Sequence, residues 1–196
     1  SGPVPEGNVG GGTGMITLVF KGGTGTASRV ADGWTVGALV QSNYGARDLF
    51  RVDGVPVGRM IGTDVVPSHR TMPRESGSII VVIATDAPLL PIQCQRLARR
   101  ATTGLAWVGG IGSNGSGDIF IAFSTGNAVR QGEPVSTVRM LAPEAMTSLF
   151  QATAEATEEA ILNAVVAAET MHGREGRVVH ALPHDLLAKA LQEYRR

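Results

Sequence analysis

Apolar and polar positions divide the 196 residues into short extended runs at the front and helical stretches at the back. Met15 to Lys21 is rich in β-formers and reads as one strand. A glycine turn, Gly22 to Thr26, leads to a short strand over Ala27 to Val30. Asp32-Gly33 is a hairpin signal, after which Trp34 to Gln41 is apolar enough to predict a strand buried on both faces. Asn43-Tyr44-Gly45 ends that strand. Two apolar runs flanking Asp53-Gly54 predict a small hairpin. Thr63 to Gly77 mixes Pro, Ser, Gly and charges without periodicity, which predicts an exposed, flexible loop. The run Ser78-Ile79-Ile80-Val81-Val82-Ile83-Ala84-Thr85 then reads as a central strand.

The second half changes period. Pro91 to Trp107 carries Ile92, Leu97, Ala98, Ala101 and Leu105 at helical spacing, with Arg96, Arg99 and Arg100 on the polar side. A glycine-rich loop, Gly109 to Gly117, precedes a strand over Asp118 to Ser124. Pro143 suits the first turn of a long helix running to about Met171, and Leu182 to Tyr194 predicts a final short helix. No internal repeat is evident. A single-domain, layered α/β fold follows, with helices covering a mixed, largely antiparallel sheet.

Composition narrows the classes of function. Apolar residues make up 43% and charged residues 17%, which is globular rather than disordered. Lys+Arg and Asp+Glu are balanced at 17 each, and aromatics are only 5%. That argues against nucleic-acid and acidic-membrane partners, which call for a basic footprint or stacking platforms. No run is long and apolar enough to span a bilayer as a helix. The single cysteine, Cys94, excludes an intrachain disulfide, fits a cytoplasmic location and reads as a small hydrophobe of a helix. Gly110-Ile111-Gly112-Ser113-Asn114-Gly115 has the letters of a dinucleotide fingerprint but a helix before it and a strand after it, the reverse of what that site needs. His180 and His184 are four apart, but Pro183 interrupts their face and no third ligand lies nearby. Neither a metal nor an organic cofactor is expected.

The junction that carries chemistry is Glu75-Ser76-Gly77-Ser78-Ile79-Ile80, where a loop meets a buried strand at a Gly-Ser bond. In a self-processing hydrolase, a precursor would cut itself at such a bond. Gly77 presents no side chain to block attack and tolerates a strained backbone. Cleavage would give Ser78 a free α-amine of pKa ~8, able to act as base for its own hydroxyl. The six residues alone leave open an ordinary loop-to-strand junction.

Longer blocks surround it. Glu6-Gly7-Asn8-Val9-Gly10-Gly11-Gly12-Thr13-Gly14-Met15, Lys21 to Arg29, Gly77 to Pro88, Arg100 to Ala106 and Ser116 to Thr125 together resemble the DmpA-type aminopeptidases (L-aminopeptidase D-Ala-esterase/amidases) and the β-peptidyl aminopeptidases. The resemblance covers nearly the whole chain. It implies an αββα sandwich related to that of the ornithine acetyltransferases, and a self-processing N-terminal-serine hydrolase of short peptides, amides or esters. By the same resemblance the Gly77-Ser78 bond is the cleavage site, residues 1–77 end an α-subunit and residues 78–196 form the β-subunit. Ser78 corresponds to the nucleophile, Ser116 and Asp118 to a serine and an acid of the active site, and Asn43 to an oxyanion-hole asparagine. Some β-peptide-cleaving members carry Glu where Asp118 stands, so the shorter acid suggests α- over β-peptides. The resemblance further implies a homotetramer of processed subunits. It implies too that a segment of length comparable to this chain precedes Ser1, supplying part of the sheet and a tyrosine of the active site. Two alternatives stay open at this point: an acyltransferase of the ornithine acetyltransferase type, and an unprocessed, non-catalytic binding module.

Overall fold

A computed structural model describes residues 2–68, 77–129, 131–132 and 134–194. In chain order the elements are β1 (Ile16–Thr17), β2 (Phe20–Lys21), β3 (Thr24–Ala31), β4 (Trp34–Asn43), α1 (Val57–Met60), β5 (Ser78–Thr85), α2 (Pro91–Ala98), α3 (Ala101–Val108), β6 (Ile119–Ser124), α4 (Met146–Val166), β7 (Met171–His172), β8 (Val178–Val179) and α5 (His184–Tyr194). The fold is layered α/β. Its main sheet runs in the order β3-β4-β5-β6, antiparallel except for the parallel pair β5/β6. Asp32 and Gly33, both at positive φ, turn β3 into β4 as the Asp-Gly pair requires. The parallel pair needs a crossover, which α2 and α3 provide.

Burial on the main sheet alternates with the pleat. Val36, Ala38 and Val40 of β4 and Val81 and Ile83 of β5 are buried among the helices, together with Leu97, Leu105, Leu149 and Ile161. Helix α4 lies across β3 and β4 on an alanine-rich face that includes Ala152, Ala156, Ala160 and Ala164. Gly25 makes the close approach possible, because a Cβ there would overlap the carbonyl of Ala160. On the opposite face Ile80, Ile119, Ile121 and Phe123 are 41–50% exposed. On β4 that face carries the exposed Thr35 and the half-buried Gly37, Leu39 and Gln41, which corrects the expectation that the strand over 34–41 is buried on both faces. No described residue of the chain lies over that second face deeply enough to bury it.

Other boundaries differ for identifiable reasons. The strand expected over 15–21 is a hairpin, β1/β2, because Leu18 and Val19 adopt φ of 52° and 66°. That turn is held from outside. The Leu18 N–H donates to Tyr44 O (2.6 Å), and the buried Arg47 donates to Leu18 O (3.2 Å) and Val19 O (2.6 Å). The Arg47 guanidinium also lies 3.3 Å from the Phe20 ring centroid. The helix expected over 91–107 bends at Arg99–Arg100 into two, so that α2 packs on β6 and α3 on α4. The long helix starts at Met146 after a 3-10 turn over Pro143–Ala145 and ends at Val166. The hairpin at Asp53-Gly54 shrinks to a single Val52–Val55 bridge followed by α1. Most of the expected flexible loop, residues 69–76, lies outside the described residues. Among the described residues no helix is long and apolar enough to cross a membrane.

Candidate active site

Sheet register brings the candidate residues together. Asn43 ends β4 and Ser78 begins β5, and the two are direct antiparallel partners. Directly paired residues point to the same face with Cβ atoms about 5 Å apart, so the carboxamide stands beside the hydroxyl. That face is the open one. Gly77, immediately before, sits at φ 126°, where a side chain would be strained and a Cβ would overlap the Asn43 carbonyl. The Asn43 amide has a defined orientation: its Oδ1 accepts from the Ile16 N–H at 2.9 Å. Its NH2 is thereby the group it can offer a ligand.

The parallel pairing of β5 with β6 brings the N-terminal ends of both strands side by side. The loop entering β6 consequently meets Ser78. Gly117 N–H donates to Ser78 Oγ at 2.9 Å. Asp118 Oδ1 accepts from Ser116 Oγ at 2.5 Å and from Ile79 N–H at 3.0 Å. The carboxylate therefore ties the glycine-rich loop to the start of β5 and holds the Ser116 hydroxyl. Short O–H···O⁻ contacts of this kind are the strong, charge-assisted class.

Behind these groups lies a cavity of about 310 Å³, lined by Tyr44, Leu49, Gly77, Leu105, Ser116 and Asp118 among others. Tyr44 is buried, and its hydroxyl has no hydrogen-bond partner among the described residues. Burial, and secondarily the negative charge of Asp118, push this phenol well above its ordinary pKa, so it remains a neutral donor. Of the five residues singled out in the sequence, Gly77, Ser116 and Asp118 line this recess, and Asn43 and Ser78 adjoin it through their strand pairing and the Gly117–Ser78 hydrogen bond.

The model of peptidase family S58 matches residues 1–179. The chain belongs to peptidase family S58. It is 50% identical over 212 residues to the beta-peptidyl aminopeptidase BapA of Sphingosinicella microcystinivorans, in an alignment taking in all of this chain and 54% of that protein. Among solved S58-like structures, a Burkholderia sp. beta-aminopeptidase is 52% identical with a TM-score of 0.85, covering 98% of this chain and 55% of that one. The L-aminopeptidase D-Ala-esterase/amidase of Ochrobactrum anthropi is 47% identical with a TM-score of 0.88, covering 100% and 55%. It is described as a prototype of the serine aminopeptidases and a variant of the Ntn hydrolase fold. This S58 chain spans about half the length of the relatives it matches.

Three contributors to the site carry no clear signal in the sequence. The backbone N–H groups of Ile16 and Gly117 carry no residue-type signal. Tyr44 adjoins Asn43 in a strand-ending triplet, where the residue type alone does not signal a buried phenol. Of the other sequence features, the glycine-rich stretch from Gly110 to Asn114 lines this S58 cavity, whereas His184 and Cys94 lie outside its lining. His184 Nε2 bonds to Val166 O at the start of α5 (2.9 Å), and no cluster of three metal-ligating side chains occurs among the described residues. Cys94 is half-buried on α2, and burial raises its thiol pKa.

Proposed function

We propose that this chain carries the nucleophile and part of the catalytic centre of a self-processing serine aminopeptidase or amidase. The observation that carries the reading is the Ser78 hydroxyl: Gly117 N–H bonds to it, the Asn43 amide stands across the strand pair, and a strained glycine precedes it.

Processing follows from that placement. Ser78 Oγ adds to the carbonyl of Gly77, an Oγ–C bond replaces the peptide C–N bond, and the Oγ proton passes to the departing nitrogen. That shift frees the α-amine of Ser78, and water then hydrolyses the resulting ester, releasing the Gly77 carboxylate and restoring the Ser78 hydroxyl. In turnover that amine takes the proton from Oγ as it attacks the carbonyl of a substrate's N-terminal residue, then returns it to the leaving amine. Asn43 Nδ2 donates to the developing oxyanion, a charge-neutral role worth several kcal/mol in comparable sites. Asp118, with Ser116 bonded to it, stabilises the Ser78 ammonium between steps. Water then releases the acyl group from Ser78.

The substrates are short peptides, amides or esters with a free N-terminal residue, a class consistent with the names of the relatives. The partners proposed are the segment preceding these residues in a longer precursor and further copies in a homotetramer. Intact-mass analysis of the full-length polypeptide tests the core of the reading. Two fragments meeting at Gly77-Ser78, absent in Ser78→Ala, support it. One unbroken chain after prolonged incubation, with no hydrolysis of D-Ala amides, L-amino-acid anilides or β-peptides, rejects it.

A further inference from the structure

Lys21 is 1% exposed, at the end of β2. Its three ammonium protons meet three backbone carbonyls: Gly22 O at 2.6 Å, Met15 O at 2.7 Å and Gly12 O at 2.9 Å. Donors and acceptors match one for one. Burying an ammonium among neutral carbonyls is costly, and desolvation lowers its pKa to about 8. A methionine would fill similar space without that cost.

What the charge touches is informative. Met15 C=O and Ile16 N–H are opposite edges of one planar peptide. Fixing the carbonyl fixes the direction of the N–H. That N–H is the group that bonds to Asn43 Oδ1 at 2.9 Å. A cation on the carbonyl edge also polarises the peptide and strengthens the donor on its other edge. A chain of contacts therefore runs from Lys21 Nζ through the 15–16 peptide to the Asn43 carboxamide. The carboxamide in turn stands directly across the strand pair from Ser78. An amide can rotate by half a turn with little change in shape, and the rotated form would aim an oxygen, not an NH2, at the oxyanion.

We propose that Lys21 is a positioning residue for the reaction: through the Met15–Ile16 peptide it holds the Asn43 carboxamide in its donor orientation. The inference rests on the role proposed above for Asn43. It assigns the glycine-rich loop a function beyond shape, since Gly12 and Met15 supply two of the carbonyls that seat the ammonium.

The test is a double-mutant cycle on the full-length polypeptide, with steady-state hydrolysis of an amino-acid amide by wild type, Asn43→Ala, Lys21→Met and the double variant. Loss of Asn43 should lower kcat by about 10² to 10³-fold. Lys21→Met should lower kcat by about ten-fold with KM within about two-fold, the pattern of an interaction made in the transition state. In the Asn43→Ala background, Lys21→Met should then cost less than about two-fold, because its route to the reaction is gone. If Lys21→Met does not fold, Ile16→Pro, which removes the connecting N–H while also replacing the Ile side chain and fixing φ, takes its place in the cycle with the same expectation. Effects that multiply, or a Lys21→Met enzyme with unchanged kcat, overturn this inference alone while wild type and Asn43→Ala still differ. A wild type without activity, or an Asn43→Ala enzyme equal to it, overturns the reading of the site and this inference with it.

Discussion

The two faces of the main sheet are built from the same strands and do opposite work. The helix-covered face carries Val36, Ala38, Val40, Val81 and Ile83, all nearly or fully buried. The other carries Ser78, Asn43 and the half-exposed Ile80, Ile119, Ile121 and Phe123. Alternation along each strand allows it, since one residue's step changes faces. The lesson is a division of labour at single-residue spacing. Ile79 anchors β5 in the core while its neighbour Ser78 is left for chemistry, and the Ile79 N–H reaches the carboxylate of Asp118.

That contrast can be broken deliberately. The largest effect belongs to Ser78→Ala, which should lower hydrolysis by about 10⁴-fold or more and leave the Gly77-Ser78 bond intact. Its far-ultraviolet circular dichroism should match that of wild type, since the change removes a partly exposed hydroxyl and no core contact. Next, Ile83→Ala on the covered face should destabilise by about 2–5 kcal/mol, read by denaturant unfolding, through lost burial and the cavity left behind. The same measurement on Ile121→Ser, half-exposed on the open face, should show a loss under about 1 kcal/mol in residues 1–196. Equal losses at 83 and 121 would mean that the open face is covered in solution, and the division would need redrawing.

A further effect is a pH dependence set by Lys21. Its folded pKa of about 8 lies below the ordinary 10.5, so between those values the unfolded chain binds more protons than the folded one. Wild type should therefore gain stability relative to Lys21→Met as pH rises from about 8 toward 10.5. Below pH 8 the full cost of the buried charge is present. The difference between the two proteins isolates the lysine, since they differ at that side chain alone. A flat difference across that window would contradict the pKa.

The sequence made the covered face and the nucleophile readable for different reasons. The apolar run over 78–85 and the Asp32-Gly33 turn are local signals, and the strands and hairpin follow from them. Ser78, Ser116 and Asp118 stood out through long matching blocks and Asn43 through the resemblance those blocks establish, since each alone is an ordinary turn or strand-end residue. What stayed hidden depends on distant partners. A continuous apolar strand looks the same whether one face or both are covered, so the openness of the second face could not be seen. The break at Leu18-Val19 depends on Arg47, 29 residues away, gripping the turn carbonyls. Lys21 looked like a polar strand terminus, and nothing in its neighbours announced three carbonyls converging on it.

The burial of Lys21 also bears on how the molecule would answer amine-reactive labels. The 196 residues hold only two lysines, Lys21 and Lys189. Lys189 is well exposed on α5, whereas Lys21 is sealed beneath the glycine-rich loop. An acylating reagent applied to the folded protein would find Lys189 and almost no other side-chain amine in this stretch. Against so sparse a background, a new amine released at Ser78 would register as a distinct, countable tag.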